Sequence, residues 1–291
     1  MKEKKSPSIL LVLLYILPKN AISRFVGGVA SLRLPGFLMR PLRNWFIRKY
    51  TVNIEEAEKP PEEYPSLNLF FIRKLKPGAR RIDPGPRTLV SPVDGRVSAF
   101  GKIEGDRMIQ AKGFDYGMEE LLACSDYSPR FRDGVFLTIY LSPPDYHRIH
   151  SPADGKAVAY SLAPGKLFPV NDLAVHGIRG LFPRNERLTT FLETAGGLIA
   201  LVKVGAMNVG SVRVEYEREL KTNRAFSRPE FRRYEEARSF QKGEELARFE
   251  MGSTVVMLFE KDAVALAPEL REGMKIRLGE KIGEFTGGSG Q

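Results

Sequence analysis

Periodic apolar positions along the second half of the chain predict a mainly β protein. Aliphatic or aromatic residues recur at every second position in 135–141 and 212–216, and short, largely apolar runs occupy 198–204 and 255–259. The first pattern is typical of strands with one buried face, and the second of strands buried on both faces. A helix is expected around 229–239. We therefore predict an α+β, mainly β fold with a barrel-like or sandwich-like core and short flanking helices.

A short turn pattern occurs twice. Ser91-Pro-Val-Asp94-Gly95 and Ser151-Pro-Ala-Asp154-Gly155 each precede an apolar stretch. Asp-Gly at such a place favours a turn, so two similar strand–turn units are expected. A third unit is predicted at 270–285, where the glycine spacing is similar to that in the hairpins of small barrels that carry lipoyl or biotinyl groups.

The N-terminal region combines apolar and basic residues differently. The nine-residue apolar run at 9–17 is too short to span a bilayer, which takes about 20 residues. Phe25, Val29 and Leu32 recur at helical spacing, and Pro41 favours the first turn of a further short helix that carries Trp45. These features predict an N-terminal amphipathic helical segment.

Charge separates this segment from the rest of the chain. The 291 residues contain 45 Lys+Arg and 35 Asp+Glu, a formal charge of +10. Residues 1–50 hold ten of the basic residues and a single acid, Glu3, which places +9 there and +1 on the remainder. Helices with apolar and cationic faces suit the surface of an anionic membrane. We predict that residues 1–60 form a basic membrane-associating segment, peripheral on the cytoplasmic face of the cell membrane.

Other interpretations of the N-terminal segment stay open. The basic start and short apolar run resemble a secretory signal peptide, although basic amphipathic sequence continues beyond them. The helices could also dock on the body of the protein or on a second subunit, or bind RNA. No nucleic-acid motif accompanies the basic residues, so no nucleic-acid partner is predicted. An acidic, proline-rich stretch at 55–65 suggests a boundary with a second domain, 61–291.

Two of the three histidines lie close together, in Asp145-Tyr-His-Arg-Ile-His150. Flanking prolines argue against the helix on which a His-x-x-His pair binds zinc, and no third nitrogen or sulfur ligand is nearby. His147 and His150 could therefore supply acid–base chemistry near neutral pH, or they could be structural.

Gly252-Ser253-Thr254 begins the last apolar run. By itself such a pair is a common turn. Together with the histidines and Asp94, it offers a serine, a base and a carboxylate that could orient the base.

Seven motifs, in order, resemble those of the phosphatidylserine decarboxylases, and they cover nearly all of the chain from residue 64 onward. They are Phe70-Phe-Ile-Arg73, Ser91-Pro-Val-Asp94-Gly95, Asp145-Tyr-His-Arg-Ile-His150, Pro164-Gly-Lys-Leu-Phe168, Arg184-Asn-Glu-Arg187, Val204-Gly-Ala-Met-Asn-Val-Gly-Ser211 and Gly252-Ser-Thr254.

The resemblance implies a proenzyme that cuts itself. Ser253 would attack the carbonyl of Gly252, with His150 removing the hydroxyl proton and Asp94 holding the imidazole. The products would be a large chain, 1–252, and a small chain, 253–291, whose first residue becomes a covalent pyruvoyl group. No metal or diffusible cofactor would be needed.

The implied activity is decarboxylation of phosphatidylserine to phosphatidylethanolamine. The ketone of the pyruvoyl group would form a Schiff base with the substrate amine, and His147 would protonate the carbon that loses CO2. The resemblance also implies a homodimer. One departure is Pro169, where some family members carry a serine.

Two alternatives follow from the same residues. One is a pyruvoyl-dependent decarboxylase of a soluble amino acid, for which the basic apolar N-terminus would have no purpose. The other is a non-catalytic barrel-type binding module in which Gly252-Ser253 is a plain turn.

Overall fold

A computed structural model describes residues 14–111, 114–207, 211–250 and 253–287. Its helices are α1 (Lys19–Ser31), α2 (Gly36–Tyr50), α3 (Leu67–Phe71), α4 (Met118–Leu122), α5 (Asp172–Gly177) and α6 (Leu181–Arg184), with 3₁₀ turns at Pro61–Glu63 and Ser128–Phe131. Its strands are β1 (Thr88–Val90), β2 (Gly95–Lys102), β3 (Arg107–Ala111), β4 (Phe114–Gly117), β5 (Val135–Leu141), β6 (Arg148–His150), β7 (Gly155–Ala163), β8 (Arg187–Thr194), β9 (Gly197–Val204), β10 (Val212–Val214), β11 (Glu230–Phe240), β12 (Glu245–Phe249), β13 (Ser253–Phe259), β14 (Val264–Leu266), β15 (Lys275–Ile276) and β16 (Lys281–Phe285).

An eight-stranded sheet forms the centre of the molecule, in the order β11-β7-β8-β9-β13-β5-β2-β15. Two three-stranded sheets, β10-β12-β6 and β1-β16-β14, supply residues to the apolar cluster on one face. On the other face the cluster includes residues of the β3–β4 hairpin and of α4 to α6. The predicted α+β, mainly β class is confirmed as an open, sandwich-like arrangement of sheets, because the described part of the large sheet does not close into a barrel.

Strands predicted from apolar periodicity are confirmed at β5, β9, β10 and β13. The helix predicted around 229–239 is wrong, because these residues form β11. This strand lies at the edge of the large sheet, and most of its side chains are exposed. Charged side chains are tolerated at such an edge, so no apolar alternation marks the strand in the sequence.

The two Asp-Gly turns have matching hydrogen bonds, which confirms the predicted pair of strand–turn units. Asp94 Oδ1 accepts from the Leu278 N–H at 2.9 Å, and Asp154 Oδ1 accepts from the Lys242 N–H at 2.7 Å. A glycine with positive φ follows each donor, Gly279 at +87° and Gly243 at +82°. The third predicted unit, 270–285, thus contains the turn that Asp94 holds.

Both N-terminal helices leave several large apolar side chains exposed. In α1 the exposed apolar side chains include Phe25 and Val29, with Leu32 exposed at the C-cap, whereas Lys19, Ser23 and Ala30 are buried. In α2 the exposed apolar side chains are Phe37, Leu38 and Trp45, whereas Met39, Arg43 and Phe46 are buried. Within the described ranges, no helix is long and apolar enough to cross a membrane.

The start predicted for the second helix is wrong. It begins at Gly36, after Pro35 as N-cap, and Pro41 lies inside it. An interior proline removes one helical hydrogen bond. Burial of Met39 and Phe46 on the body of the protein holds the helix together on both sides of that position.

A cluster of aromatic rings joins α2 to α3. The ring of Phe46 lies 6.2 Å from those of Phe70 and Phe71. The ring of Phe71 is in turn 4.0 Å from the imidazole of His147. The N-terminal helices are therefore connected by direct packing to the loop that carries the two histidines.

Candidate active site

Strand pairing places Ser253 beside the histidine loop. Ser253 is the first residue of β13 and pairs with Leu141, the last residue of β5. The chain then runs from Leu141 through residues 142–147 into β6, which ends at His150. Gly252 lies outside the described residues, and Ser253 is described only by its backbone. The β13–β5 register thus unites two motifs that are more than a hundred residues apart in the sequence.

His147 is completely buried beside β12. Its Nδ1–H donates to the Asp145 carbonyl at 2.8 Å, and its own carbonyl accepts from the Phe249 N–H at 2.9 Å. Nε2 has no hydrogen-bond partner among the described residues. Because Nδ1 carries the proton in this arrangement, Nε2 presents a free lone pair.

Burial lowers the pKa of His147 to about 3, and the positive charge of Arg73 acts in the same direction. At neutral pH the imidazole is therefore uncharged, and Nε2 can accept a proton. The expected role as a proton donor then requires that His147 first take up a proton during the reaction.

His150 is held by two neighbours. Its Nδ1–H donates to the Gly243 carbonyl at 2.8 Å, and the Tyr146 hydroxyl donates to Nε2 at 3.1 Å. Burial lowers the pKa of His150, while the hydrogen bond to Gly243 and the negative charges of Glu245 and, to a smaller extent, Asp94 oppose this shift. The backbone carbonyl therefore fixes the tautomer that leaves a basic lone pair at Nε2.

Asp94 does not hydrogen bond to His150 in the described structure. Its Oδ1 accepts from Arg80 Nε at 2.9 Å and from the Leu278 N–H at 2.9 Å. Arg80 Nη2 lies 2.5 Å from Asp94 Oδ2 and 2.8 Å from Glu56 Oε2. The guanidinium of Arg80 thus contacts the Asp94 carboxylate, which the sequence analysis assigned to the His150 imidazole. The role of Asp94 in orienting that imidazole stays a prediction.

Sequence reasoning missed three residues that shape this site. Arg80, Tyr146 and Gly243 provide the contacts to Asp94 and His150. Tyr146 lies inside a recognised motif but was assigned no role. Arg80 and Gly243 lie outside all seven motifs, and no local pattern shows that they meet the site.

Arg73 lies beside the same loop. Only 3% of the residue is exposed, and its Nη2 donates to the Pro144 carbonyl at 3.0 Å. Nε and Nη1 are buried without a partner in the described part of the chain. Burial lowers the pKa of this guanidinium, which nevertheless stays protonated at neutral pH.

Three further motifs meet at Asn185, which is completely buried. Its side chain accepts from the Phe168 N–H at 3.0 Å and donates to the carbonyls of Phe168 and Gly205, each at 2.9 Å. Asn20 of α1 donates to the carbonyl of Gly165 at 2.8 Å. The segment that contains Pro169 is therefore fixed between Asn185 and the first N-terminal helix.

Known proteins resemble this chain over most of its length. A family model described as phosphatidylserine decarboxylase matches residues 67–284. The phosphatidylserine decarboxylase proenzyme of Myxococcus xanthus (strain DK1622) is 43% identical over 274 residues, which cover 94% of this chain and 97% of that protein. The proenzyme of Anaeromyxobacter sp. (strain K) is 44% identical, with 93% and 96% covered.

A third relative matches this chain to a similar extent. The phosphatidylserine decarboxylase proenzyme of Brevibacillus brevis (strain 47 / JCM 6285 / NBRC 100599) is 42% identical over 272 residues, which cover 93% of this chain and 95% of that protein. The matches extend well beyond the seven motifs. The chain belongs to the phosphatidylserine decarboxylase family.

Proposed function

We propose that this chain is a self-cleaving, pyruvoyl-dependent enzyme that converts phosphatidylserine to phosphatidylethanolamine, with residues 61–291 as its catalytic domain. The observation that carries the proposal is the register of β13, which puts Ser253 opposite Leu141, where the histidine loop leaves β5. Family membership supports the reaction, and this register supports the assignment of Ser253 and the histidine loop to it.

Self-cleavage begins with the Ser253 hydroxyl, which attacks the carbonyl of Gly252, so that an ester forms as the peptide C–N bond breaks and the Ser253 amine is freed. β-Elimination then releases the Gly252 carboxylate, and hydrolysis of the dehydroalanine that remains loses ammonia and leaves the pyruvoyl group. His150 Nε2 is the base, because its lone pair is held ready by the Nδ1–H bond to Gly243. The Tyr146 hydroxyl must leave Nε2 before the serine proton can arrive. Asp94 stabilises the imidazolium that forms, through its negative charge.

A pyruvoyl group at position 253 would supply the electron sink of the reaction. Its ketone would take up the substrate amine and draw off the electrons released with CO2. An amine attacks only when neutral, so the substrate ammonium must first lose a proton. The unpartnered, buried Nε2 of His147 accepts that proton.

The same atom can return the proton to the substrate carbon. His147 then serves as base and acid in turn. Because burial lowers its pKa in the free protein, the bound anionic substrate must stabilise the imidazolium while it holds the proton. Phe71 packs against the ring and helps to exclude water, so the held proton is not lost to solvent.

The N-terminal segment, residues 1–60, docks peripherally on the cytoplasmic face of an anionic membrane. The outward sides of α1 and α2 are apolar, with Phe25 72% exposed and Phe37 75% exposed. Lys49 lies 4.6 Å from the ring of Trp45, an arrangement suited to the headgroup region. From the family resemblance we also propose a homodimer, which light scattering after size-exclusion chromatography would test.

The proposed chemistry predicts two chains on a denaturing gel. Wild type should separate into chains 1–252 and 253–291, and the mass of the second should show a pyruvoyl terminus. Ser253→Ala should remain one chain of 32.7 kDa and lack activity. His150→Ala should also stay whole, because the serine then has no base.

Ser98→Ala, a substitution in β2, is the matched control and should be cut like wild type. A wild-type protein that stays whole yet decarboxylates phosphatidylserine would refute the mechanism. Activity that is indifferent to lipid and detergent would instead favour a soluble amino acid as substrate.

A further inference from the structure

We propose that Arg73 binds the phosphodiester of the lipid head group and so selects a phospholipid over free serine. The proposal rests on the proposed function, because it takes phosphatidylserine as the substrate. It assigns a task to a buried cation that the mechanism above leaves unused.

Arg73 is held in place by only part of its guanidinium. Nη2 donates to the Pro144 carbonyl at 3.0 Å, and the guanidinium carbon lies 5.5 Å from the ring centre of Phe70. Pro144 belongs to the loop that connects Leu141, opposite Ser253, to His147. The cation is therefore anchored to the loop that lines the proposed site.

No carboxylate pairs with Arg73 among the described residues, and both Nε and Nη1 lack a hydrogen-bond partner. Neighbouring arginines differ in this respect. Arg80 contacts Asp94 and Glu56, and Arg148 contacts Glu245 at 2.6 Å. Asp94, Glu56 and Asp145 favour the Arg73 charge only by attraction at longer range. A buried charge without a hydrogen-bonded ion pair is costly in free energy, so its presence points to an anion that arrives from outside.

The substrate has two anionic groups, and chemistry favours the phosphodiester. The carboxylate leaves as CO2, so an ion pair with it would stabilise the ground state and be lost on the way to the transition state. The phosphodiester keeps its charge throughout the reaction. A cation that binds it contributes to affinity without opposing the chemical step.

The position of Arg73 between neighbouring elements also favours the phosphodiester as its ligand. Arg73 follows α3, whose Phe70 and Phe71 pack against Phe46 of α2 on one side, while Phe71 contacts His147 on the other. In the lipid the phosphodiester lies between the glycerol backbone and the serine group. Arg73 lies over the Phe70 ring and is hydrogen-bonded to the Pro144 carbonyl, so it adjoins the aromatic cluster that joins α2 to His147, as the phosphodiester adjoins both the glycerol and the serine group.

Calorimetric titration with two soluble probes tests the proposal. Glycerophosphoethanolamine has the phosphodiester and amine without the carboxylate, whereas L-serine has the carboxylate and amine without the phosphate. Arg73→Gln should raise the Kd for glycerophosphoethanolamine by about 10- to 100-fold, the usual range for a lost charged hydrogen bond, and leave the Kd for serine unchanged. Arg73→Lys should show a smaller loss.

Arg43→Gln is the matched control, because Arg43 is equally buried, with 3% exposed, but its guanidinium faces Glu62 at 3.5 Å. It should not change either Kd. The proposal is overturned by undetectable binding of glycerophosphoethanolamine to wild type, by an unchanged Kd in Arg73→Gln, or by an equal loss for both probes. If Arg73→Gln does not fold, the same comparison of the two probes in Arg73→Lys decides.

Binding does not depend on turnover, so the two proposals can fail separately. A wild type that stays uncut but binds glycerophosphoethanolamine through Arg73 would refute the proposed function and leave the anion site standing. A processed, active enzyme whose probe binding ignores Arg73 would do the reverse.

Discussion

Burial determines the protonation of both histidines before a substrate arrives. His147 and His150 each donate Nδ1–H to a backbone carbonyl, so each presents its lone pair at Nε2. The pKa of each is lowered by burial. The two histidines differ at Nε2. In His150 this nitrogen accepts a hydrogen bond from the Tyr146 hydroxyl, whereas in His147 it has no hydrogen-bond partner among the described residues. This difference supports separate tasks in cleavage and decarboxylation.

Replacement of His147 should separate those tasks. His147→Ala should still cut itself into two chains but lose decarboxylation by about 10²- to 10⁴-fold, the usual contribution of general acid–base catalysis. His176→Ala is the control, because that histidine is exposed and its Nδ1 contacts only the Asp172 carbonyl. Gel analysis and a CO2-release assay give the two readouts. An uncut His147→Ala would show that the assignment of roles is wrong.

The two Asp-Gly turns have the same backbone contacts but different surroundings. Asp94 is 7% exposed and contacts Arg80, whereas Asp154 is exposed and has no such cation among its described contacts. Both hold a glycine turn that belongs to a distant part of the chain. The Asp94 turn therefore combines a structural role with its proposed part in cleavage.

Asp94→Ala should block cleavage and also lower the free energy of unfolding by about 3 kcal/mol, because the buried Arg80 loses a partner. Asp154→Ala should be cut normally and cost less than about 1 kcal/mol. Asp94→Asn keeps the side-chain shape and isolates the loss of charge. Urea denaturation and a time course of cleavage measure both effects, and normal cleavage of Asp94→Asn would remove this residue from the triad.

Charge and apolar exposure are both concentrated at one end of the chain. Residues 1–50 carry +9, and α1 and α2 turn their apolar sides outward. The same helices reach the proposed site through Phe46, Phe71 and His147. An anionic membrane bound at this end would therefore lie beside the route to the catalytic residues.

Replacement of Phe25 and Trp45 together by serine should weaken binding to anionic vesicles at least about 10-fold, because each exposed ring would lose apolar burial in the interface. Ile109→Ser, at a 56% exposed apolar residue of β3, should change binding little. Point variants are preferable to deletion of residues 1–50, which would also remove the buried Phe46. Vesicle sedimentation at low and high salt provides the measurement, and binding that ignores both salt and anionic lipid would contradict the docking proposal.

Local sequence patterns were sufficient to predict several strands of the central sheets. Apolar periodicity predicted β5, β9, β10 and β13, because these strands are buried and each residue's environment is reflected in its own type. The edge strand β11 was predicted wrongly as a helix, because most of its side chains are exposed and its residue types therefore show no apolar alternation. The start of α2 was also missed, because packing on the body outweighed the local cost of Pro41.

By itself the sequence determined the family, the candidate residues His147, His150, Asp94 and Ser253, and the cationic N-terminal segment. The family and these residues follow from the resemblance of local motifs to those of known proteins, and the charge follows from residue type, so neither needs knowledge of distant contacts. Tertiary structure alone decided that Asp94 contacts Arg80, that carbonyls orient both imidazoles, and that two nitrogens of the buried Arg73 have no partner among the residues the structure describes. The reason is physical: burial and hydrogen-bond partners depend on which distant segments meet, and no single segment contains that information.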